Sequence, residues 1–291
     1  MTLTITSQQA GRTVRALLHG ELGMSTALLN HLKRREDGIL LNGIPVCTNA
    51  VVSAGDRLTV DLRDEAPLHP IPPVPMDLDI RYEDAFFLVV NKPAPLAVHA
   101  SSFAPEEPTL ASGLAHYLGP DLIFHPVNRL DRGTTGLMVV AKNRFSHNAL
   151  RRLLHTSDFR REYRGITIGI PDPPSGIVDL PIGRAENSAI KRCIRSDGAP
   201  AATIYETLSV TQRFALLRLL PRTGRTHQLR LHMSAMGHPL AGDWLYGTED
   251  RCLIARPALH AWGITLRHPV TGKFLSFYAD LPADMERLLH L

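Results

Sequence analysis

Only three cysteines occur in the chain, Cys47, Cys193 and Cys252, odd in number and far apart. That excludes a disulfide framework and any paired-cysteine zinc site. No stretch approaches the ~18 consecutive apolar residues that read as a membrane helix, so no membrane partner is expected. The N-terminus, MTLTITSQQAGR, lacks a basic stretch followed by an apolar one, which speaks against a secretory leader. The expected compartment is a reducing cytosol, hence cytoplasmic. No GxGxxG follows a strand, no GxxxxGK[ST] is present, and neither GxSxG nor HExxH occurs. Nucleotide-cofactor, P-loop and serine-hydrolase chemistry are therefore not expected. Aromatics are scarce at 6%, so each one near a motif carries weight.

What is present is enough for a core. Hydrophobic residues make up 44% of the 291, which excludes global disorder. The length fits one large domain with a small appendage. Net charge is only +4, but it is unevenly placed. Residues 125–165 hold nine Lys/Arg against three Asp/Glu, and residues 184–230 again nine against three. The remainder of the chain is acidic. Two basic segments in an acidic background suit a polyanion such as RNA, because phosphate binding uses clustered cations. Any single arginine among them is more simply a solvated surface residue. Fourteen histidines invite a metal reading. His227 and His232, five apart, do not share a helical face, and no cysteine or carboxylate joins them at ligand spacing. No metal is expected; structural or phosphate-contacting roles fit these histidines better.

The clearest break in the chain is DEAPLHPIPPVPM, Asp64 to Met76, with five prolines. Proline fixes φ and lacks a donor, so this segment reads as a semi-rigid extended linker. Before it, Val14, Leu17, Leu18 and Leu22 have helical spacing, and Ser25 is placed to cap a helix carrying Leu28, Leu29 and Leu32. Asn42-Gly43 between two apolar runs predicts a tight hairpin. Arg57 to Leu62 alternates as a strand. Lys33, Arg34 and Arg35 end the second helix beside the hairpin.

The stretches SxxLLxxLK from Ser25, GILLNGIPV from Gly38 and AGDRLTV from Ala54 resemble the S4 RNA-binding module over roughly residues 11–62. The resemblance implies an RNA-binding role for residues 1–63, with Lys33, Arg34 and Arg35 as its contacts. The module departs from a strongly cationic RNA binder, carrying six Lys/Arg against five Asp/Glu in residues 1–62. An α+β adaptor with no RNA role is the competing reading.

Beyond the linker, 64–77, residues 78–291 alternate short strands and helices without a βαβ rhythm. Phe86 to Val90, Gly136 to Ala141 and Tyr163 to Ile170 read as strands. Thr203 to Leu208 and Phe214 to Leu220 read as a strand pair. Ser146 to Leu154 and Gln228 to Met236 read as helices, the latter stopped by Gly237-His238-Pro239. The expected class is α+β with a mixed, mostly antiparallel sheet.

Two segments stand out chemically. In HPVNRLDRGTTGL (His125 to Leu137), Asp131 lies between Arg129 and Arg132, ahead of a Gly-bounded turn into an apolar strand. A carboxylate beside two cations is held in its charged form, which suits a nucleophile or base. On spacing alone, a structural Asp capping a turn is the commoner reading. In PRTGRTHQLRLH (Pro221 to His232), a turn at Thr223-Gly224 opens a helix whose first residues supply Arg225, Thr226 and Gln228. A helix N-terminus with arginine suits an anion, either a phosphate or the Asp131 carboxylate. A cationic solvated helix is the plainer alternative.

RLDRGTTGLMVVAKN is similar to the catalytic motif of the RluA-type pseudouridine synthases. The rest of that family's pattern follows in order. VVNKPAPLAVHA starts at Val89 and REYRGITIG at Arg161. AATIYETL starts at Ala201, TGRTHQLRLHMSAMGHPLAGDWLYG at Thr223, and LHAWGITLRHPVTG at Leu259. The resemblance covers nearly all of residues 78–285 and implies the pseudouridine synthase fold. It implies that Asp131 is the catalytic aspartate, that Tyr163 stacks on the target base and that Arg225 pairs with the aspartate. Arg129 and Arg132 would lie beside the flipped nucleotide. Lys191, Arg192, His227 and Arg230, in the second basic segment, would contact RNA. Asn128 stands where many members have His, and Thr135 where many have Ser.

The implied reaction breaks N1–C1′ of a uridine and forms C5–C1′, adding no electrons or groups, so no cofactor is expected. A charged carboxylate can attack C1′ or remove a sugar proton; the residues do not choose. The base must leave its stack at a cost of a few kcal/mol. Stacking on an aromatic ring returns ~1–3 kcal/mol. A non-catalytic RNA-binding or ribosome-assembly factor would share the basic segments, but it has no need of Asp131, Tyr163 and Arg225 together. A glycosidase needs two flanking acids, and only Asp131 stands in a suggestive motif. Ribosomal and transfer RNA both fit as substrate, with ribosomal RNA favoured by the S4-like module. A monomer is the default expectation.

Overall fold

The computed structural model describes residues 1–291 except 102–103, 120, 155, 187 and 189. The first 60 residues form a four-stranded antiparallel sheet, with strands β1 (Thr2–Thr4), β2 (Ile39–Leu41), β3 (Ile44–Pro45) and β4 (Arg57–Val60) in the order β1-β4-β2-β3. Helix α1 (Thr26–Leu32) packs on it, capped as its sequence predicts: the Leu28 N–H donates to Ser25 Oγ at 3.1 Å. The β2–β3 hairpin turns on Asn42 and Gly43, both at positive φ (53° and 83°), the conformation an Asn-Gly pair adopts readily. The helix expected around Val14–Leu22 is instead a π-helical turn over Ala16–Glu21. Gly20 weakens α-helical preference there, and the wider turn places Leu17 and Leu18 together in the core.

The rest of the chain builds one large sheet. Its strands are β5 (Asp79–Glu83), β6 (Phe87–Lys92), β7 (His125–Pro126), β8 (Thr135–Ala141), β9 (Phe159–Ile168) and β10 (Ser175–Asp179). Further along come β13 (Ala202–Val210), β14 (Phe214–Pro221), β15 (Leu259–Arg267) and β16 (Phe274–Tyr278), with β11 (Ile182–Arg184) and β12 (Arg192–Ile194) forming a separate hairpin. The helices are α2 (Leu110–Leu118), α3 (Arg144–Leu153), α4 (Gln228–Ala235) and α5 (Ala283–Leu288). The order β10-β13-β14-β9-β15-β8-β6-β5 is antiparallel throughout except for β15 against β8, so the expected mixed, mostly antiparallel α+β class holds.

The central strands are apolar on both faces because both are covered. In β6 and β8, Leu88, Val90, Met138 and Val140 join the core that contains Tyr163 and Leu229. Their alternate neighbours Phe87, Val89, Leu137 and Val139 pack on the other side with Leu150 of α3. Gly136 is required where the parallel pair meets: its φ is +109°, and a Cβ there would lie 2.3 Å from the Ala261 carbonyl oxygen.

The proline-rich segment has no regular structure, as predicted, but it is a strap and not a loose spacer. Asp64 accepts hydrogen bonds from His125 Nε2 at 2.7 Å and from the Arg144 N–H at 3.3 Å. The Val74 N–H donates to the Ser112 carbonyl at 3.0 Å. The N-terminal unit is docked as well. Phe145 of α3 is buried in that unit's core among Ile5, Val14, Leu17, Met24 and Leu58. Arg152, also on α3, donates to the Gly23 carbonyl at 2.9 Å. Phe145→Ala is therefore expected to cost ~3–5 kcal/mol of the N-terminal unit's stability, read as lost hydrogen-exchange protection at the Leu58 and Val60 amides. Unchanged protection would show that docking does not depend on this ring.

Candidate active site

Asp131 sits on the loop between β7 and β8, and that loop is tied down from several sides. The Thr134 N–H donates to the Asp131 carbonyl at 3.0 Å, closing the turn. Asn128, buried, accepts from the Val139 N–H at 2.8 Å. Thr135 donates through Oγ1 to His260 Nδ1 at 2.8 Å, while His260 Nε2 donates to the Ala279 carbonyl at 3.0 Å. Asn128 and Thr135, the two departures from the common family pattern, thus both serve the loop's seat through hydrogen bonds.

Two buried cations complete that seat. Lys92, fully buried at the end of β6, donates from Nζ to the carbonyls of Pro93 and Leu96 at 2.8 Å each and of Arg132 at 3.4 Å. Burial pushes its pKa down to about 7, with Asp131 acting in the opposite direction. Arg256 pairs with Asp284 through two 2.7 Å bonds and reaches the Gly133 carbonyl at 3.4 Å.

The facing wall comes from α4 and the loop before it. The helix begins at Gln228, so Arg225, Thr226 and His227 belong to the loop and not to the first helical turn, as the sequence pattern had implied. Gln228 organises this loop: Oε1 accepts from the Arg225 N–H at 3.0 Å and from Thr223 Oγ1 at 2.6 Å, and Nε2 donates to the Ala202 carbonyl at 3.0 Å. His227 holds a left-handed conformation at φ 58°, uncommon for a residue with a side chain and a mark of a constrained site.

The guanidinium that meets Asp131 is that of Arg230, not Arg225. Arg230 Nη1 donates to Asp131 Oδ2 at 3.3 Å. Its Nε and Nη2 donate to the two oxygens of Asp243 at 2.7 and 2.8 Å. Arg225 is exposed at the rim and donates to the Pro200 carbonyl at 3.1 Å. Helical geometry explains the exchange, since Arg230 projects inward from α4 while the loop turns Arg225 outward. Asp131 also faces His227 Nε2 at 3.9 Å. The Tyr246 hydroxyl accepts from the Arg192 N–H and meets His227 Nδ1, both at 2.9 Å. With the hydroxyl donating to Nδ1, the proton of a neutral His227 lies on Nε2, toward the aspartate. Burial holds the His227 pKa below its ordinary value, against the pull of Asp131.

These elements enclose a cleft of about 710 Å³. Six arginines line it (Arg129, Arg132, Arg151, Arg161, Arg225 and Arg230) with Asp131 the one acid among the described lining residues. Tyr163 lines it too, on β9, yet is only 7% exposed and belongs to the main core cluster. It is a core aromatic and a cleft wall at once. Asp131 keeps 28% of its side chain exposed, so it is accessible and not fully buried. The arginines adjacent in sequence do not pair with it: Arg132 reaches Glu107 at 3.2 Å, and Arg129 is exposed. Lys191 and Arg192 lie on the β11–β12 hairpin side, outside the lining. Lys33 and Arg34 are exposed on the N-terminal unit, whereas Arg35 is engaged by Asp61 and Asp37. His232 is structural, bonded to Thr203 Oγ1 at 2.9 Å and to the Leu180 carbonyl at 3.0 Å.

Asp243, Tyr246, Lys92 and Arg256 escaped the sequence reading. Asp243 and Tyr246 sit in GDWLYG and Lys92 in VVNKPAPLAVHA, but nothing local indicates that they converge on Asp131. Among the described residues, no three His, Cys, Asp or Glu side chains group as a metal site, and no helix is long and apolar enough to cross a membrane.

Comparison with known proteins shows the family. Residues 86–235 match the family model described as RNA pseudouridylate synthase. The chain belongs to that family and is an RNA pseudouridine synthase, an isomerase. It is 38% identical over 273 residues to a Bacillus subtilis protein named uncharacterized RNA pseudouridine synthase YjbO, covering 93% of this chain and 96% of that one. It is 40% identical over 225 residues to ribosomal large subunit pseudouridine synthase D of Vibrio parahaemolyticus, covering 72% and 68% of the two chains. Among solved structures, human RNA pseudouridylate synthase domain containing 1 superposes with a TM-score of 0.58 at 28% identity, over 70% of this chain and 83% of that one.

Two outcomes are expected of the site's buried ions. Asp243→Ala leaves Arg230 buried without its bidentate partner and should cost ~3–5 kcal/mol in urea unfolding; a loss below ~1 kcal/mol would show the pair to be unimportant. Lys92 is charged in both folded and unfolded chains below pH 7, so its burial cost is then felt in full. Above pH 7 the unfolded chain binds the extra proton, and stability rises with pH. Wild type should therefore gain on Lys92→Met by about 1 kcal/mol per pH unit between pH 7.5 and 9.5. Parallel pH profiles would contradict a lowered Lys92 pKa.

Proposed function

We propose that this synthase isomerises uridines of ribosomal RNA, with Asp131 acting on the ribose of a base drawn into the cleft and stacked on Tyr163. The observation that carries this reading is the placement of one accessible carboxylate, hydrogen-bonded to Arg230, in a cleft whose described lining holds six arginines and no second acid. Phosphates flanking the target pair with the rim arginines, Arg129, Arg132 and Arg225 among them, which offsets the electrostatic cost of bringing RNA to an acid. The uracil leaves its stack and lies against the Tyr163 ring. The Asp131 carboxylate then attacks C1′ or takes a sugar proton. Either route frees N1, lets the base turn within the cleft and joins C5 to C1′. The proton on C5 is lost and one is taken up at N1, so atoms and electrons balance without a cofactor.

Ribosomal RNA is favoured by the relatives named as ribosomal large subunit pseudouridine synthase D. The S4-like N-terminal unit, with exposed Lys33 and Arg34, adds a second RNA contact in this reading.

Asp131→Asn should bind ribosomal RNA as wild type does, yet release no tritium from 5-tritiated uridine in that RNA. Retained turnover would remove Asp131 from the chemistry, and product formed only in parallel transfer RNA reactions would overturn the ribosomal assignment. Tyr163→Ala should lower kcat/KM about ten- to a hundredfold, the worth of one stacked base, with Tyr163→Phe close to wild type.

A further inference from the structure

A second groove, of about 520 Å³, opens between the N-terminal unit and α3. His19, Gly23 and Ser25 line one side, and Asn148, Arg151 and Arg152 the other, with no acid among the described lining residues. Arg151 lines this groove and the catalytic cleft alike.

The helix presents this surface by its spacing. Arg144, Asn148 and Arg151 stand at i, i+4 and i+7 and are exposed, while Phe145, Ser146, Ala149 and Leu150 are buried on the opposite side. The two banks are held together by contacts already described. Phe145 is buried in the N-terminal core, and Arg152 donates to the Gly23 carbonyl. Gly23 lies at φ +64°, and a Cβ there would come within 2.7 Å of Arg152 Nη2, so the guanidinium seats against bare backbone. The groove is thus a fixed surface that runs from the cleft's arginine rim to the S4-like unit.

We infer that this groove carries the single-stranded segment of substrate RNA that leaves the catalytic cleft, with Arg151 as the bank common to both. The occupant follows from charge and continuity. A cationic channel free of acids among its described residues, sharing an arginine with a cleft that takes a polyanion, suits the next phosphodiesters of the same strand. The inference rests on RNA being the occupant of the cleft, but not on which RNA is modified.

Fluorescein-labelled oligouridylates of 20 and 5 nucleotides test it on the full-length protein. The double variant His19→Glu/Asn148→Glu places two negative charges on exposed positions of the groove, outside the cleft lining. It should weaken binding of the 20-mer at least tenfold and lower the slope of log K against log salt by about 1–2, at ~0.7 per lost contact. The 5-mer, too short to occupy both sites, should bind within twofold of wild type. An unchanged 20-mer affinity, or an equal loss at both lengths, overturns the shared track. A second measurement uses wild-type protein: a 20-mer carrying 4-thiouridine should photocrosslink to peptides covering residues 19–25 and 144–152 as well as to the cleft, and crosslinks confined to the cleft refute the path. Failure of the wild type to form pseudouridine in ribosomal RNA would count against the proposed substrate, yet leave these binding results to be judged by themselves.

Discussion

The site depends on one guanidinium shared by two carboxylates. Arg230 is almost fully buried, and a lone cation there would be costly. Asp243, wholly buried, holds it by two short bonds and is itself held by the Leu245 and Tyr246 N–H groups at 3.1 and 3.2 Å. That pairing leaves Nη1 to face Asp131. The catalytic-motif acid thereby gains a positive partner whose position is set by α4 and not by its own loop. A bidentate bond to Asp243 and a longer, single bond to Asp131 divide the work: the first fixes geometry, and the second leaves the Asp131 carboxylate accessible from the cleft.

Rigidity of the opposing loop has a different origin. Asn128, Thr135 and Lys92 spend their polar atoms on backbone carbonyls, N–H groups or the buried His260, and Arg256 divides its own between Asp284 and backbone carbonyls. A loop that must carry a charged group at a cleft mouth cannot rely on hydrophobic packing alone. Buried donors from β6, β8 and β15 supply the restraint instead. Around this fixed centre the arginines of the cleft are mostly exposed, in contrast to the buried Arg230 and Arg256.

Much of the frame was legible along the chain. The Ser25 cap, the Asn42-Gly43 hairpin and the apolar runs of β6 and β8 are local features, set by neighbours a few residues away, and local patterns report them. The π-helical turn at Ala16–Glu21 was not legible, because an α-helix and a π-turn share the same apolar spacing over so short a span. Nor was the docking of the proline-rich strap and the N-terminal unit onto α3. Phe145 reads as any apolar helix residue until the fold shows whose core it fills.

At the site, the motif around Asp131 marked the acid and Tyr163 marked the cleft wall, since each sits in its own recognisable stretch. Its ion partner was misplaced. Arg225 and Arg230 stand five residues apart in one motif, and spacing cannot tell a loop residue facing outward from a helical one facing inward. Asp243, thirteen residues beyond Arg230, could be joined to it only by the turn after α4. The chain by itself therefore determined the class of fold, the acid and the cationic character of its surroundings, all of which follow from residue type and local order. Which arginine meets that acid, and where the N-terminal unit docks on α3, were decided only by tertiary packing, because a buried group takes its partner from whatever the fold brings within a few ångströms.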